Sequence, residues 1–330
     1  MKIFFVLAAL AMAVSLVKGY SDEDAWRDYK RKYNLNYNIA GDNGKRDRAR
    51  KKNFLAQMEQ IKRHNSKKDN GFFQELNEFS VLGPWEKKRF LGVNASMVPS
   101  AEFLKSIPVF DLQSRQLPPS LDYRFDRCLP PIRQQGWCGS CWAFTAITPL
   151  EFSRCKITGS PVMLSEQHLV DCDATNNGCN GGWYVKAWDY LRSNGGFARR
   201  QLYLYTARKG PCRFRPSMVG AQVSTYGYVQ SKNPAAMQSA LQQYGPIAVA
   251  ITVVPSFYSY GGGVYDDPAC DGKDVNHAVV IVGYGKLNGV DFWIFRNSWG
   301  TGWGLSGYGR IKRGENKCNI ETYPAYAAAA

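Results

Sequence analysis

The sequence has no cysteine before residue 128, only three histidines in 330 residues, and no apolar run after residue 20 long enough to cross a bilayer. The last absence argues against a membrane partner. There is no internal repeat, and low complexity is confined to the alanines at 327–330, which are expected to fray. Disorder, collagen and coiled coil are excluded by a composition that is 45% hydrophobic and 21% charged, with 31 Gly and 16 Pro. Acidic residues are the scarcer charge, 27 against 42 basic, but the excess is spread: 19 basic to 13 acidic over residues 21–116, and 21 to 14 over 117–330. A nucleic-acid partner would need a concentrated basic face with interleaved aromatics. Only residues 45–68 come close, and they read first as a solvated helix face, so no nucleic-acid binding is expected. What remains is an ordinary globular chain, long enough for one large or two medium domains.

Lys2 precedes an apolar run at 3–17 that is too short for a bilayer and ends at Val17, Lys18 and Gly19, with small residues at the spacing signal peptidase prefers. A cleaved signal peptide over 1–19 and a secreted product are expected. All nine cysteines lie between Cys128 and Cys318, which suits an oxidising compartment, and the odd count implies pairs plus one special thiol. Their distribution also divides the chain. Residues 20–116 are cysteine-free and rich in Lys and Arg, with helical readings over 26–33 and over 47–65, where Phe54, Met58 and Ile61 share a face. Residues 93–120, carrying Pro99, Pro108, Pro118 and Pro119, read as a loose linker. From Leu117 onward Gly, Trp, Tyr and Cys become dense. There Asn233 and Pro234 open a helix that runs to Tyr244 and stops at Gly245, and residues 247–254, 278–282 and 292–295 read as strands.

Three places carry chemistry. The first is the run Gln135, Gly136, Trp137, Cys138, Gly139, Ser140, Cys141, Trp142, which leads into an apolar stretch. At a helix N-terminus a thiol meets the positive end of the dipole and unpaired N–H groups, both of which favour its thiolate. Cys138 and Cys141 read equally as a disulfide, a redox dithiol or half a zinc site. The second is His277, opening the run 277–285, where a buried core histidine is the plainer reading. The third is Asn297, Ser298 and Trp299, which alone is only a turn.

Jointly these blocks are specific. Cys138 to Trp142 match the C-G-[SA]-C-[WY] signature of the papain and cathepsin family, in which His and Asn follow about 130 to 150 residues later. Here His277 lies 136 residues after Cys141 and Asn297 lies 156 after it. The chain therefore resembles a papain-like cysteine protease precursor over its length beyond the signal. The resemblance implies an α+β, two-domain papain-like fold, with a helical left domain and a β-barrel-like right domain. It divides the chain into signal (1–19), inhibitory propeptide (20–116) and mature peptidase (117–330). Cys141 takes the place of the nucleophile and His277 that of its base, in a thiolate–imidazolium pair whose cysteine pKa falls to roughly 3 to 4. Asn297 would orient the imidazole, Trp299 shield that bond, and Gln135 supply the oxyanion hole. Gly181 and Gly182 would let a peptide approach the backbone.

By the same comparison Cys138 pairs with Cys179, Cys172 with Cys212, Cys270 with Cys318, and Cys128 with Cys155 as in cathepsin B, leaving Cys141 free. Four pairs plus one thiol disfavour a redox pair or a zinc site, so neither metal nor cofactor is expected. Trp183, Tyr184, Ala250, Val275, Ala278 and Tyr323 match the subsite that takes the side chain two residues before the cut, and Asn276 is expected among the other substrate-binding residues. A two-residue slip would put Glu321 at the floor of that subsite instead. His168 and His277 are the only histidines beyond residue 116, so no pair is free to capture a substrate's C-terminus and an endopeptidase is expected.

In the pro-region Arg50, Phe54, Ile61, Asn65, Asn77 and Phe79 keep the family pattern. Arg46 and Gln57 replace its Glu and Asn, and Glu75 and Val81 its Gly and Asp, departures that bear on charge pairing within the propeptide. His64 is read as solvated, and Asn94 opens an N-glycosylation sequon. Residues 131–133, 203–208 and 289–297 further resemble the group 1 digestive proteases of mites, known as allergens. The implied partners are protein and peptide substrates, the chain's own propeptide as inhibitor, and cystatin-type inhibitors, acting on a monomer. The competing readings are a thiol oxidoreductase using Cys138 and Cys141, and a catalytically silent binding protein.

Overall fold

The computed structural model describes residues 21–68, 70–110 and 116–330. The expected signal segment lies outside them, as do residues 111–115 of the expected linker. Ser21 and Asp24 form a reciprocal capping box at the start of α1 (Asp22–Lys32), whose first turn is acidic and last turn basic, the order the helix dipole favours. α2 (Lys45–Asn65) buries Phe54, Gln57 and Ile61 and leaves Met58 half-buried. Where the two helices meet, Trp26, Tyr29, Phe54 and Val81 form a small core, and Trp26 Nε1 and Lys30 Nζ both donate to Asp47, at 3.0 and 2.9 Å.

Charge pairing in the pro-region survives the departures from the family pattern. Arg50 makes a bidentate pair with Glu86, 2.6 Å on each arm, reaching from α2 to α3 (Pro84–Lys88). Burial opposes ionisation of Glu86, but Arg50 and the Gly83 N–H outweigh it and hold its pKa below the usual carboxylate value. This contribution to stability is present at neutral pH and is lost as pH falls through the lowered pKa. Gln57, standing where the family has Asn, accepts from Lys87 Nζ at 3.0 Å, an ammonium whose pKa burial pushes down to about 8.

Two readings of the pro-region are corrected. His64 is not simply solvated: its Nε2 lies 3.0 Å from the Phe72 carbonyl and its ring packs on Phe72, with centroids 4.4 Å apart. The stretch 93–120 is not a bare linker either. It contains α4 (Ala101–Ser106), and after β1 (Phe72–Gln74) it supplies β2 (Val109–Phe110). Ile107 and Phe110 are buried, Phe110 between Tyr244 and Tyr326, and that apolar payload docks a segment whose prolines suggested looseness.

The remaining strands are β3 (Leu121–Asp122), β4 (Phe197–Ala198), β5 (Val219–Ala221), β6 (Val223–Val229), β7 (Ile247–Ile251), β8 (Tyr260–Gly263), β9 (His277–Leu287), β10 (Val290–Arg296), β11 (Tyr308–Lys312) and β12 (Ala325–Ala329). The main sheet runs β11-β10-β9-β7-β12-β6-β2, with β3 paired to β9, while β1 pairs antiparallel with β8. Helices α5 (Cys141–Thr158), α6 (Glu166–Cys172) and α7 (Tyr184–Ser193) form the other half, and α8 (Pro234–Tyr244) is capped by Asn233 as its sequence indicates. α5 is apolar nearly all round and is buried accordingly.

The closing alanines do not fray. Residues 325–329 lie within the sheet, paired along β6 and touching β7 at Ala248, with Ala325, Ala327 and Ala329 buried. Ala329 N–H donates to Ser153 Oγ of α5 at 3.0 Å. Alanine's small side chain lets α5 pack closely on this strand, a reason that composition alone does not disclose.

Candidate active site

Two halves of the molecule each bring part of the site. Cys141 opens α5 and is fully buried; it is the one free cysteine among the described residues. The loop before it is pinned by the Cys138–Cys179 disulfide and by Gly139 N–H donating to the Cys179 carbonyl at 2.9 Å. Disulfides also join Cys128 to Cys155, Cys172 to Cys212 and Cys270 to Cys318. These are the pairs the family resemblance implies. With Cys138 already bonded to Cys179, a Cys138/Cys141 dithiol has no partner thiol, and the oxidoreductase reading falls.

His277 is the first residue of β9 and Asn297 follows the last residue of β10. His277 Nε2 lies 2.9 Å from Asn297 Oδ1, which also accepts the Ser298 N–H at 2.8 Å. Trp299 packs over the imidazole with centroids 4.8 Å apart and, like His277 and Asn297, is buried. The bond to Asn297 fixes the ring through Nε2 and leaves Nδ1 with no hydrogen-bond partner among the described residues. It is the nitrogen that the expected role of His277 as base for Cys141 would use.

Gln135 is held at both ends: Ser298 Oγ donates to its Oε1 at 2.7 Å, while its Nε2 donates to the Cys138 and Phe90 carbonyls at 2.8 and 3.0 Å. Phe90 belongs to the pro-region, so the side chain expected to bind an oxyanion is here occupied by a pro-region carbonyl. Gly182 N–H donates to the Gly92 carbonyl at 2.9 Å, and Val93 N–H to the Asn276 carbonyl at 3.2 Å. Residues 90–93 thus lie on the backbone groups of Gly182 and Asn276, where the family resemblance implies that a peptide would pair. Asn276 takes part through its carbonyl only. Its side-chain amide is turned away, exchanging hydrogen bonds of 2.7 and 2.9 Å with the Val253 backbone.

Val93 is buried in one apolar cluster with Trp183, Tyr184, Ala250, Val275 and Ala278, against which Tyr323 packs. Tyr323 meets Trp183 edge-on at 5.3 Å, and its carbonyl accepts from Tyr184 Oη. Glu321 is elsewhere. Its Oε1 accepts from Trp293 Nε1 at 2.9 Å and from Gly314 N–H at 2.7 Å, and its Oε2 from Asn316 N–H at 3.0 Å, so the carboxylate does not face this cluster. At Gly182 a Cβ would come within 2.6 Å of Trp142 and Asn176, so the bare backbone is required there.

In the covered precursor, burial works against charge on both Cys141 and His277. Burial pushes the Cys141 thiol up to about 11, against the opposing pull of nearby N–H groups that include those of Ala278 and Gly92. Burial likewise pushes His277 down to about 4, against the bond from Asn297. With the cleft covered both groups are neutral near pH 7, because neither charge has water or a sufficient partner.

Two side chains that the motif reading passed over support the site. Ser298 links Gln135 to Asn297 and was visible in the Asn297 motif, though only as a spacer. Tyr205 Oη donates to the Gln135 carbonyl at 2.7 Å and lies 2.6 Å from Ser140 Oγ, contacts that no local pattern announces. His168 lies outside the site, buried and stacked on Phe214 at 4.1 Å.

Comparison with known proteins agrees with this geometry. The family model for papain family cysteine proteases matches residues 117–328, and that for the cathepsin propeptide inhibitor domain matches residues 26–86. A cathepsin L-like peptidase of Aedes aegypti is 33% identical over 99% of both chains. Digestive cysteine proteinase 2 of Homarus americanus is 35% identical over 92% of this chain and 94% of its own. Among solved structures, digestive procathepsin L2 from the larval midgut of Tenebrio molitor aligns with a TM-score of 0.86 at 32% identity, covering 93% of this chain and all of its own. The chain belongs to the papain family of cysteine proteases, as a cathepsin L-type endopeptidase precursor whose own propeptide is its inhibitor.

Proposed function

We propose that the mature enzyme is a secreted endopeptidase that cleaves peptide bonds through a Cys141 thioester and prefers an aliphatic side chain two residues before the cut. The observation that carries this reading is the buried free thiol at a helix N-terminus, with His277 held by Asn297 and Gln135 beside it. Once residues 90–93 leave, the thiolate attacks the scissile carbonyl carbon, and the oxyanion is met by Gln135 Nε2 and the Cys141 N–H. The imidazolium gives its proton to the departing amine, leaving a thioester. His277 then takes a proton from water, whose oxygen attacks the thioester and displaces the Cys141 thiolate, so the acid product forms and the thiolate–imidazolium pair is restored. Four disulfides suit an oxidising space, and relatives named as digestive proteases suggest a digestive lumen or lysosome-like compartment. The resemblance to mite group 1 proteases accords with this. A cystatin-type inhibitor would compete for the cleft of what we take to be a monomer, and exposed Asn94 is the proposed glycan site.

Activation is proposed to remove residues up to about Leu117. N-terminal sequencing of the active form should begin within a few residues of it, and a start before Ser100 or after Cys128 would sink the boundary.

Support for the aliphatic preference comes from the pro-region's own Val93, which shares one apolar cluster with Ala250, Val275 and Ala278, and from the Glu321 carboxylate being engaged elsewhere by Trp293, Gly314 and Asn316. A basic side chain entering there would lose its water without a partner, at a cost of several kcal/mol, whereas each methylene that fits adds about 1–3 kcal/mol. A positional-scanning peptide library should show Val, Leu and Ala favoured and Arg and Lys poor, with Tyr323→Glu gaining Arg acceptance. Strong cleavage with Arg at that position in the unmodified enzyme would refute the assignment.

A further inference from the structure

The six tryptophans beyond residue 116 other than Trp137 are fully buried, whereas Trp137 is 42% exposed even with pro-region side chains lying against it. It belongs to none of the apolar cores of the described residues, so packing of the fold does not account for so large a ring there. Trp137 sits between Gly136, whose φ of 60° lies in the left-handed region, and Cys138, which is disulfide-bonded to Cys179. The ring is therefore carried on the short, pinned loop that runs from Gln135 to Cys141, and it is held in place relative to the reacting atoms. The pro-region already uses it. Phe90 packs on Trp137 with centroids 5.3 Å apart, and the Arg89 guanidinium lies 5.5 Å from the ring centroid.

The same contacts place Trp137 relative to a substrate. Val93 occupies the apolar cluster assigned to the side chain two residues before the cut, and Gly92 lies against Cys141, where a Cβ would stand 3.0 Å from Sγ. Phe90 therefore falls beyond the thiol, on the side where the departing amine of a substrate lies. Its ring also meets Trp299 edge-on at 6.5 Å, and Trp299 covers the imidazole that gives that amine its proton. We propose that Trp137 is a specificity-determining residue of the leaving side, selecting substrates that carry an aromatic side chain within two residues after the cut. This inference rests on the endopeptidase reading. An aromatic side chain in the place of Phe90 gains a ring contact together with burial of apolar area, and an arginine gains the weaker cation–π contact that Arg89 makes. A carboxylate would meet the negative face of the indole and gain neither. Because the loop is pinned before substrate arrives, little freedom is lost on binding, and the contact is expressed in kcat/KM.

The test uses processed enzyme, its active sites counted with a thiol-directed epoxide, on internally quenched peptides with Val two residues before the cut. Phe, Trp, Arg, Ala or Asp is placed at the first or the second position after the cut, and mass spectrometry of the products fixes the bond broken. At one of the two positions Phe or Trp should raise kcat/KM about tenfold over Ala, with Arg between them and Asp lowest. In Trp137→Ala the ratio of Phe to Ala should fall to about twofold or less, and in Trp137→Tyr, which keeps an aromatic face, it should stay above about fivefold. The ratio is internal to whatever active enzyme a variant yields, and Trp137→Leu, which keeps bulk without the aromatic face, provides the same reading if Trp137→Ala misfolds. Phe125→Ala removes another exposed ring, 86% accessible and outside the site, and should keep the parent ratio. A full ratio in Trp137→Ala or Trp137→Leu, or equal losses in those variants and Phe125→Ala, would overturn the proposal. A methyl ester with the same acyl part has no residue after the cut and separates the two readings. If the parent hydrolyses the ester but shows no aromatic preference at either position, this inference alone fails; if it cleaves neither ester nor peptide, the endopeptidase reading fails with it.

Discussion

Replacing Gly92 by alanine should open the precursor's active site to a thiol-directed epoxide about 10- to 100-fold faster than in the parent. A Cβ at position 92 would stand 2.1 Å from the Gly139 carbonyl oxygen and 3.0 Å from Cys141 Sγ. The nearer obstacle is backbone, so no side-chain rotation relieves it and the segment at 90–93 must lift. Overpacking of this kind costs about 1–3 kcal/mol, which sets the expected range. Lifting would also break the bond from Gly182 and free Gln135 of the Phe90 carbonyl. Gly83→Ala is the matched control, because the nearest atom to its added Cβ is 3.5 Å away, an ordinary contact, and its labelling rate should not change. If Gly92→Ala precursor labels Cys141 no faster than the parent, the close approach of Gly92 is not what seals the site.

Cys141→Ala and His277→Ala should each lower kcat of the processed enzyme by about 10⁴ or more, and the double variant should be little worse than either alone, because two groups acting as one unit do not contribute additively. Processing would have to be done by an added protease, since neither variant can perform it. The same pair makes a pH statement. In the covered precursor the thiol is pushed up to about 11 and the imidazole down to about 4, so alkylation of Cys141 should stay slow from pH 5 to 8. In the processed enzyme, with water readmitted and the helix N-terminus unopposed, alkylation should be fast by pH 5. Additive losses in the double variant, or identical pH profiles for the two forms, would show that Cys141 and His277 do not work together.

The cysteine pairs followed from the family resemblance, since spacing alone leaves many connectivities open, whereas the candidate triplet was legible in residue type and spacing. Cys138 to Trp142, His277 and Asn297 keep that spacing whatever surrounds them. Helix ends were equally readable where a local cap exists, as at Asn233, Pro234 and Gly245. What escaped depends on neighbours remote in sequence. The alanines at 327–330 look featureless until β6, β7 and α5 close around them. His64 reads as solvent-facing until the Phe72 strand returns beside it. The neutral state of Cys141 and His277 required knowing that Phe90 to Val93 would exclude water from them, a fact of docking rather than of composition. Tyr205 shows the same limit, since its hydroxyl braces Ser140 and Gln135 from a loop with no recognisable signature.

The placement of β12 bears on the order in which the molecule can be built. In the sheet, the block β11-β10-β9-β7, which carries His277, is joined to the block β6-β2, which carries residues 109–110, only through β12 among the described residues. Yet β12 follows all these strands in sequence. A chain emerging from the ribosome N-terminus first can fold its propeptide helices early, but its main sheet stays divided until residues 325–329 are available. By then the propeptide has long been synthesised, so the inhibitor is present before the sheet that helps frame the enzyme can be completed.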